Sequence, residues 1–157
     1  MTIETSATLL LDALNIPYKT HVYEYNPSVE KLGIAAAAAL NHSPDHVLKT
    51  LMIKVDQHPA CVVLPANKEV DFKRVAQIFG GKKAKMMQRE DVQKLTGYQI
   101  GGVSPFGQKR SVPTAFEKSI MGGSPLIING GKQGFLLEIN SNDAVIVTNA
   151  IQENFIK

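Results

Sequence analysis

Apolar positions along the chain switch between two spacings, and the switches mark out alternating helices and strands. Ala7, Leu10, Leu11 and Leu14 recur at helical intervals behind the capping candidates Thr5 and Ser6, and Asn15-Ile16-Pro17 stops that helix. Tyr18 to Tyr25 alternates as a strand does. The alanine-rich run Ile34 to Leu40 predicts a second helix close-packed on a sheet, because alanine has the highest helix propensity. Two apolar strands follow, Val47 to Val55 and Ala60 to Leu64. Asp71 caps a helix whose Phe72, Val75, Ala76 and Phe79 share one face, and Gly80-Gly81 ends it. Further strands are expected at Tyr98 to Ile100, Ser111 to Phe116, Leu126 to Ile128 and Phe135 to Ile139. The segment Asn142 to Phe155 supports two readings, since Val145-Ile146-Val147-Thr148 favours a strand and Ser141-Asn142 favours a helix cap. With no linker or repeat, the pattern predicts a single α/β domain over residues 1–157, its mixed, curled β-sheet partly closed and surrounded by helices.

Composition narrows the class. Hydrophobic residues make up 44% and charged residues 20% of the chain, close to an ordinary globular domain and unlike a disordered or fibrous one. The longest apolar run, Ile34 to Leu40, falls far short of the ~20 residues that cross a bilayer. The amino terminus carries Glu4 and Asp12 with no basic segment ahead of an apolar one, so a cytoplasmic protein with no membrane partner is expected. Cys61 stands alone in Ala60-Cys61-Val62-Val63-Leu64, which makes it a buried strand residue rather than a catalytic thiol or half of an internal disulfide. His42 and His46 have helical pair spacing, but Pro44 lies between them and no third ligand is apparent, so no metal site is expected. The loop Asn129-Gly130-Gly131-Lys132-Gln133-Gly134 lacks the spacing and the Ser or Thr of a P-loop. No dinucleotide fingerprint is present either, and no cofactor is expected.

Charge and pattern then single out three features. The net charge of +3 and a pI near 9.0 permit a polyanionic partner. Basic residues gather in Lys82-Lys83-x-Lys85, in Lys109-Arg110 and at Lys132, either as solvated surface or as RNA contacts. Lys49 shares a strand face with Val47, Leu51, Ile53 and Val55. An unpartnered buried ammonium costs several kcal/mol, so Lys49 either reaches water at the strand end or lines a pocket for an anionic or carbonyl ligand. Gly101-Gly102-Val103-Ser104-Pro105-Phe106-Gly107 is either an ordinary tight turn or a loop whose backbone approaches a ligand and offers N–H groups to a developing oxyanion.

Four stretches in order carry a family resemblance: His21-Val22-Tyr23-Glu24-Tyr25, Val47-Leu48-Lys49-Thr50-Leu51, the run from Thr96 through Gly101-Gly102-Val103-Ser104-Pro105-Phe106-Gly107 to Lys109, and Gly130-Gly131-Lys132-Gln133-Gly134. They resemble the signature segments of the YbaK/EbsC family of bacterial Cys-tRNA(Pro) deacylases, which is related to the editing domain of bacterial prolyl-tRNA synthetases. The resemblance implies a barrel-like sheet with helices around it. It also implies a trans-acting enzyme that cleaves the ester of mischarged Cys-tRNA(Pro), with Cys-tRNA(Cys) as a second substrate and prolyl-tRNA synthetase as a partner, and no role for DNA. No Ser-His-Asp or Cys-His set is visible, and the resemblance accounts for this, because the substrate's own thiol attacks its carbonyl and leaves as a cyclic thioester. On this reading Lys49 holds the aminoacyl-adenosine end, the N–H groups of Gly101 and Gly102 face the oxyanion, Tyr23 lines the pocket, and Thr50 and Ser104 orient the ester. Lys82, Lys83, Lys85, Lys109, Arg110 and Lys132 are the candidate tRNA contacts.

Two substrate-pocket positions depart from the family pattern. Leu32 stands where the family has a phenylalanine, and Leu136 where close members carry an aspartate that can meet the substrate's α-ammonium. Selectivity is therefore open to a shift. Two alternatives stand beside the main expectation: hydrolytic editing of an alanyl or seryl tRNA by activated water, and a non-catalytic module that binds tRNA or a synthetase.

Overall fold

Strands β2 (Leu48–Val55) and β3 (His58–Pro65) form an antiparallel hairpin closed by Asp56 and Gln57, whose φ angles of 48° and 72° are those a two-residue type I′ turn requires. The computed structural model describes residues 3–23 and 44–157, so the expected helix at 34–40, position Leu32 and His42 lie outside the described residues. Around this hairpin a five-stranded mixed sheet runs in the order β4-β2-β3-β5-β8, with β4 (Ala84–Met86) antiparallel to β2, and β5 (Thr114–Glu117) and β8 (Ile151–Glu153) added in parallel. A second, antiparallel sheet has the order β1-β7-β6, from Lys19–Val22, Phe135–Asn140 and Pro125–Lys132. The sheets meet where Val47 bridges Ile127.

Both faces of the β2–β3 hairpin are buried. Leu48, Met52, Cys61 and Val63 face the three-stranded sheet and pack with Leu126, Ile128, Phe135 and Leu137. Ile53, Val55, Ala60, Val62 and Leu64 face the other way, onto Val75 and Ala76 of helix α2 (Phe72–Ile78) and onto Phe155. Two-sided burial is why these strands read as nearly unbroken apolar runs instead of alternating ones. Helices α1 (Ser6–Ala13), α3 (Arg89–Thr96) and α4 (Ser141–Thr148) close the first core with Ala7, Leu11, Val92 and Ala144. Thr5 caps α1 in a reciprocal capping box with Thr8, and Asp71 caps α2 by accepting from the Lys73 and Arg74 amides.

Several expectations are corrected. Among the described residues the strands divide into two sheets and do not close into a barrel, and the backbone pairing between the sheets is the isolated parallel bridge Val47–Ile127. Tyr98 to Ile100 is a turn. Gly97 ends α3 in the left-handed region, and the Gly102 amide then bonds back to the Gln99 carbonyl at 2.9 Å. Helix α3 carries charge at four of its eight positions and has only two large apolar residues, Val92 and Leu95, and it was not expected. In the ambiguous carboxyl-terminal segment the run Val145 to Thr148 is helical, within α4 capped by Asn140, and the strand β8 follows it.

Glu117 fastens that carboxyl-terminal segment to the sheet. Its side chain is 1% exposed and accepts from the Ser119 amide at 3.0 Å, the Ser119 hydroxyl and the Phe155 amide at 2.8 Å. Replacing it by alanine strands a dry N–H group. Glu117→Ala is expected to lower the unfolding free energy by about 1–3 kcal/mol in urea titrations, with far-ultraviolet circular dichroism unchanged.

Candidate active site

One edge of β2 diverges from its neighbours. Val47 bridges Ile127, Met52 accepts from the Met87 amide at 3.1 Å, and Ile53 pairs with Met86; between these points no strand lies against that edge among the described residues. The gap is a cavity of about 360 Å³, bounded by Lys49, Thr50 and Leu51 on β2, by Met87 and Arg89, by Gly101 and Val103, and by Tyr23, Asn129 and Leu136.

Lys49 is half-buried and carries no ion pair among the described residues. Burial pushes its ammonium below the usual lysine range, and the Glu69 carboxylate pulls the other way. Thr50 is the neighbouring anomaly, a buried hydroxyl without a hydrogen-bond partner. A buried polar group is normally satisfied, so an orphan at a cavity wall is a group held ready for something that enters. The rest of the lining is mostly apolar. Leu136 is buried with Val47, Ile127 and Tyr23, and the Tyr23 amide donates to the Gly134 carbonyl at 2.9 Å. Among the described residues the lining includes two cations, Lys49 and Arg89, and no carboxylate.

The two glycine loops are interlocked. Asn129 donates to the Gly101 carbonyl at 3.0 Å while its own carbonyl oxygen accepts from the Gly131 amide at 2.7 Å, and Gln133 donates to the Ile100 carbonyl at 2.8 Å. Gly101 adopts φ +90°, a conformation other residues enter at a cost, and it lines the cavity. Gly102 does not. Its amide is spent on Gln99, and it faces the second loop, where an added Cβ would stand 3.0 Å from Lys132 Cα and 3.1 Å from Gln133 N. Ser104 is also placed elsewhere: fully buried, its hydroxyl accepts from the Phe106 amide at 3.2 Å and shapes the loop from behind.

Lys49, Thr50, Tyr23, Gly101 and Leu136 are thus brought together, and Gly102 and Ser104 act on the loop that supports them. The basic candidates scatter. Lys82 and Lys83 sit where their amides are held by the Asp56 carboxylate at 2.9 and 3.0 Å, which lowers that carboxyl's pKa, and Lys132 stands beside Gln99 and Gly102. Lys109 and Arg110 border a separate hollow, and Lys85 lies opposite Lys54 on the β2–β4 ladder. Sequence reasoning missed Asn129, whose signal was an amide side chain directly before two glycines, and Arg89, which had none. Cys61 is fully buried as expected, its thiol pushed up to about 12 by burial.

Comparison with known proteins agrees with the sequence resemblance. Residues 27–145 match the family model for the aminoacyl-tRNA editing domain. A protein of Enterococcus faecalis, EbsC, provisionally named a Cys-tRNA(Pro)/Cys-tRNA(Cys) deacylase, is 31% identical over 93% of this chain and 89% of its own length. The proline–tRNA ligase of Bacillus cytotoxicus is 26% identical over 67% of this chain, which corresponds to 19% of the ligase. The fold matches the crystal structure of a provisionally assigned trans-editing enzyme for prolyl-tRNA synthetase, with TM-score 0.81, 19% identity and 99% of each chain covered.

Two outcomes follow from the geometry. Lys49 has a folded-state pKa below the ordinary lysine value of 10.5, so burying its charge destabilises the fold below that folded pKa, and the penalty fades as pH rises through it. Lys49→Met is therefore expected to raise Tm at pH 7, with the gain shrinking toward pH 10.5; a pH-independent difference would count against burial as the cause. Gly102→Ala is expected to cost about 1–3 kcal/mol by pushing on the second loop's backbone, as read by urea unfolding.

Proposed function

This chain belongs to the aminoacyl-tRNA editing-domain family, and from that premise we propose that it acts in trans, in the cytoplasm, as a deacylase of mischarged Cys-tRNA(Pro). The observation that carries the reading is the pairing of a desolvated lysine with an orphan hydroxyl at the wall of an apolar cavity. A cavity of about 360 Å³ suits an aminoacyl group and part of the terminal nucleoside, while the rest of a tRNA stays outside. Need for such a pocket follows from the limits of recognition: cysteine and alanine are small enough to enter a site built for proline, and a difference of a few atoms gives only ~1–3 kcal/mol of discrimination.

In the proposed reaction the substrate's cysteinyl sulfur attacks the ester carbonyl and forms a C–S bond. The tetrahedral oxyanion then collapses, the C–O bond to the ribose breaks, and the ribose oxygen takes the proton the thiol gave up. The products are a cyclic thioester and tRNA with a free 3′ end. Lys49 holds the ester end by charge-assisted hydrogen bonding and Thr50 donates its unused hydroxyl. The Gly101 amide, which makes no hydrogen bond among the described residues, faces the developing oxyanion. The protein positions and stabilises, and the nucleophile arrives with the substrate.

A second reading has one observation in its favour. The lining has no carboxylate among the described residues, and Leu136 presents a methyl-rich surface to the cavity. Selection by shape rather than by a salt link to the α-ammonium admits alanyl or seryl substrates attacked by water. Resemblance to part of a proline–tRNA ligase supports mischarged tRNA(Pro) as the substrate class and the synthetase as the partner.

The experiment measures deacylation of Cys-tRNA(Pro), Ala-tRNA(Pro) and Ser-tRNA(Pro) by the purified protein. Cys-tRNA(Pro) should be cleaved fastest, and S-methylcysteinyl-tRNA(Pro), which has no free thiol, should persist. Equal cleavage of the blocked substrate would replace thiol assistance by activated water. Lys49→Ala should remove most of the activity. Thr50→Val, which keeps the side-chain shape and deletes the orphan hydroxyl, should reduce kcat by roughly ten- to a hundredfold, with Tm unchanged or slightly raised.

A further inference from the structure

We propose that an open basic hollow beside the cavity seats backbone phosphates of the unpaired 3′ end of the RNA, so that the terminal nucleotide enters the cavity across Met87; this rests on the aminoacyl-tRNA reading of the cavity. The hollow encloses about 480 Å³ and is bordered by Lys54, Lys94, Lys109 and Arg110, with Asp91 as its one carboxylate among the described residues. Lys54 and Asp91 form a half-exposed ion pair at 3.6 Å. Lys94, Lys109 and Arg110 have no ion partner among the described residues. Four cations from three separate segments, against one carboxylate, converge on one concavity and give it a charge of +3, as large as the net charge of the whole chain.

The cations stand on a fixed base. The Lys109 amide donates to the Thr96 carbonyl at 2.9 Å and the Arg110 amide to the Leu95 carbonyl at 3.2 Å, which latches that dipeptide to the last turn of α3. Lys94 lies on the same helix and Lys54 on β2. Cations spread along several walls suit a chain of phosphates better than a single anion.

Position decides which part of the RNA this is. Met87 lines both the hollow and the cavity, and α3 sends Val92 to the cavity and Lys94 to the hollow. A phosphate held there is close in chain terms to the reacting ribose, which places the unpaired 3′ nucleotides in the hollow and the duplex beyond it. Lys82 and Lys83, held on Asp56 at the hairpin tip, and Lys132, beside Gln99, border neither space.

The test uses the intact chain and deacylated RNA, so it does not depend on catalysis. Binding of an RNA minihelix with an unpaired 3′ tail is measured over a range of salt concentrations, next to the same duplex without the tail. The pair Lys94→Gln and Arg110→Gln is compared with Lys73→Gln and Lys118→Gln, an equal charge change made elsewhere on the surface. The first pair should weaken binding of the tailed RNA and flatten the log–log salt slope by about 0.7 for each cation lost, with the second pair close to wild type. The tailless duplex should bind both pairs alike. An unchanged slope for the first pair overturns the proposal, and so does an equal loss on the tailless duplex, which would place the helical stem in the hollow. Should the slope flatten as expected while Cys-, Ala- and Ser-tRNA(Pro) all persist, the catalytic reading fails and the RNA seat stands.

Discussion

Two-sided burial of the β2–β3 hairpin is the constraint on which the rest depends. Its faces feed two different cores, so the strand is held rigidly along its length, and the sheet then splits at its first residues because β6 and β4 leave its edge in different directions. The split creates a cavity with a stiff floor. Lys49 and Thr50 occupy that floor as adjacent polar residues in a mostly apolar strand whose other polar position is Lys54, and their backbone is fixed because both cores clamp the strand. The unfavourable placement of an ammonium and a hydroxyl is thereby maintained by apolar packing elsewhere.

The glycines divide their labour in a way that composition conceals. Gly101 supplies an unusual backbone conformation at the cavity, while Gly102 supplies thinness, letting the second loop lie against the first. Asn129 and Gln133 then tie the loops through carbonyls that would otherwise lack partners. A cavity-lining loop rich in glycine gains the rigidity its composition denies it from the side chains of another loop.

Much of this was legible in the chain. Apolar runs with clear caps, α1 behind Thr5 and α2 behind Asp71, were found because capping and periodicity are local. Lys49 was visible because a lysine on an apolar strand face demands an explanation. Helix α3 was hidden, since half of its eight residues are charged and only Val92 and Leu95 touch apolar neighbours. The turn at Tyr98 to Ile100 reads locally as a strand and is decided by distant partners, Asn129 and Gln133. The family segments meet at one cavity, yet finding that Gly102 and Ser104 stand behind it required knowing where one amide and one hydroxyl point. No pattern in a sequence records that.

The Asp56–Gln57 turn has a consequence for how the protein comes into being. A two-residue hairpin is the most local contact in the sheet and forms on the microsecond scale, whereas His21 and Glu138, bonded across β1 and β7, are separated by 117 positions. Lys49 and Thr50 are positioned by a local hairpin, whereas Tyr23 and Leu136 are positioned by contacts between distant parts of the chain. The floor of the cavity thus rests on local contacts and its walls on contacts between distant parts of the chain.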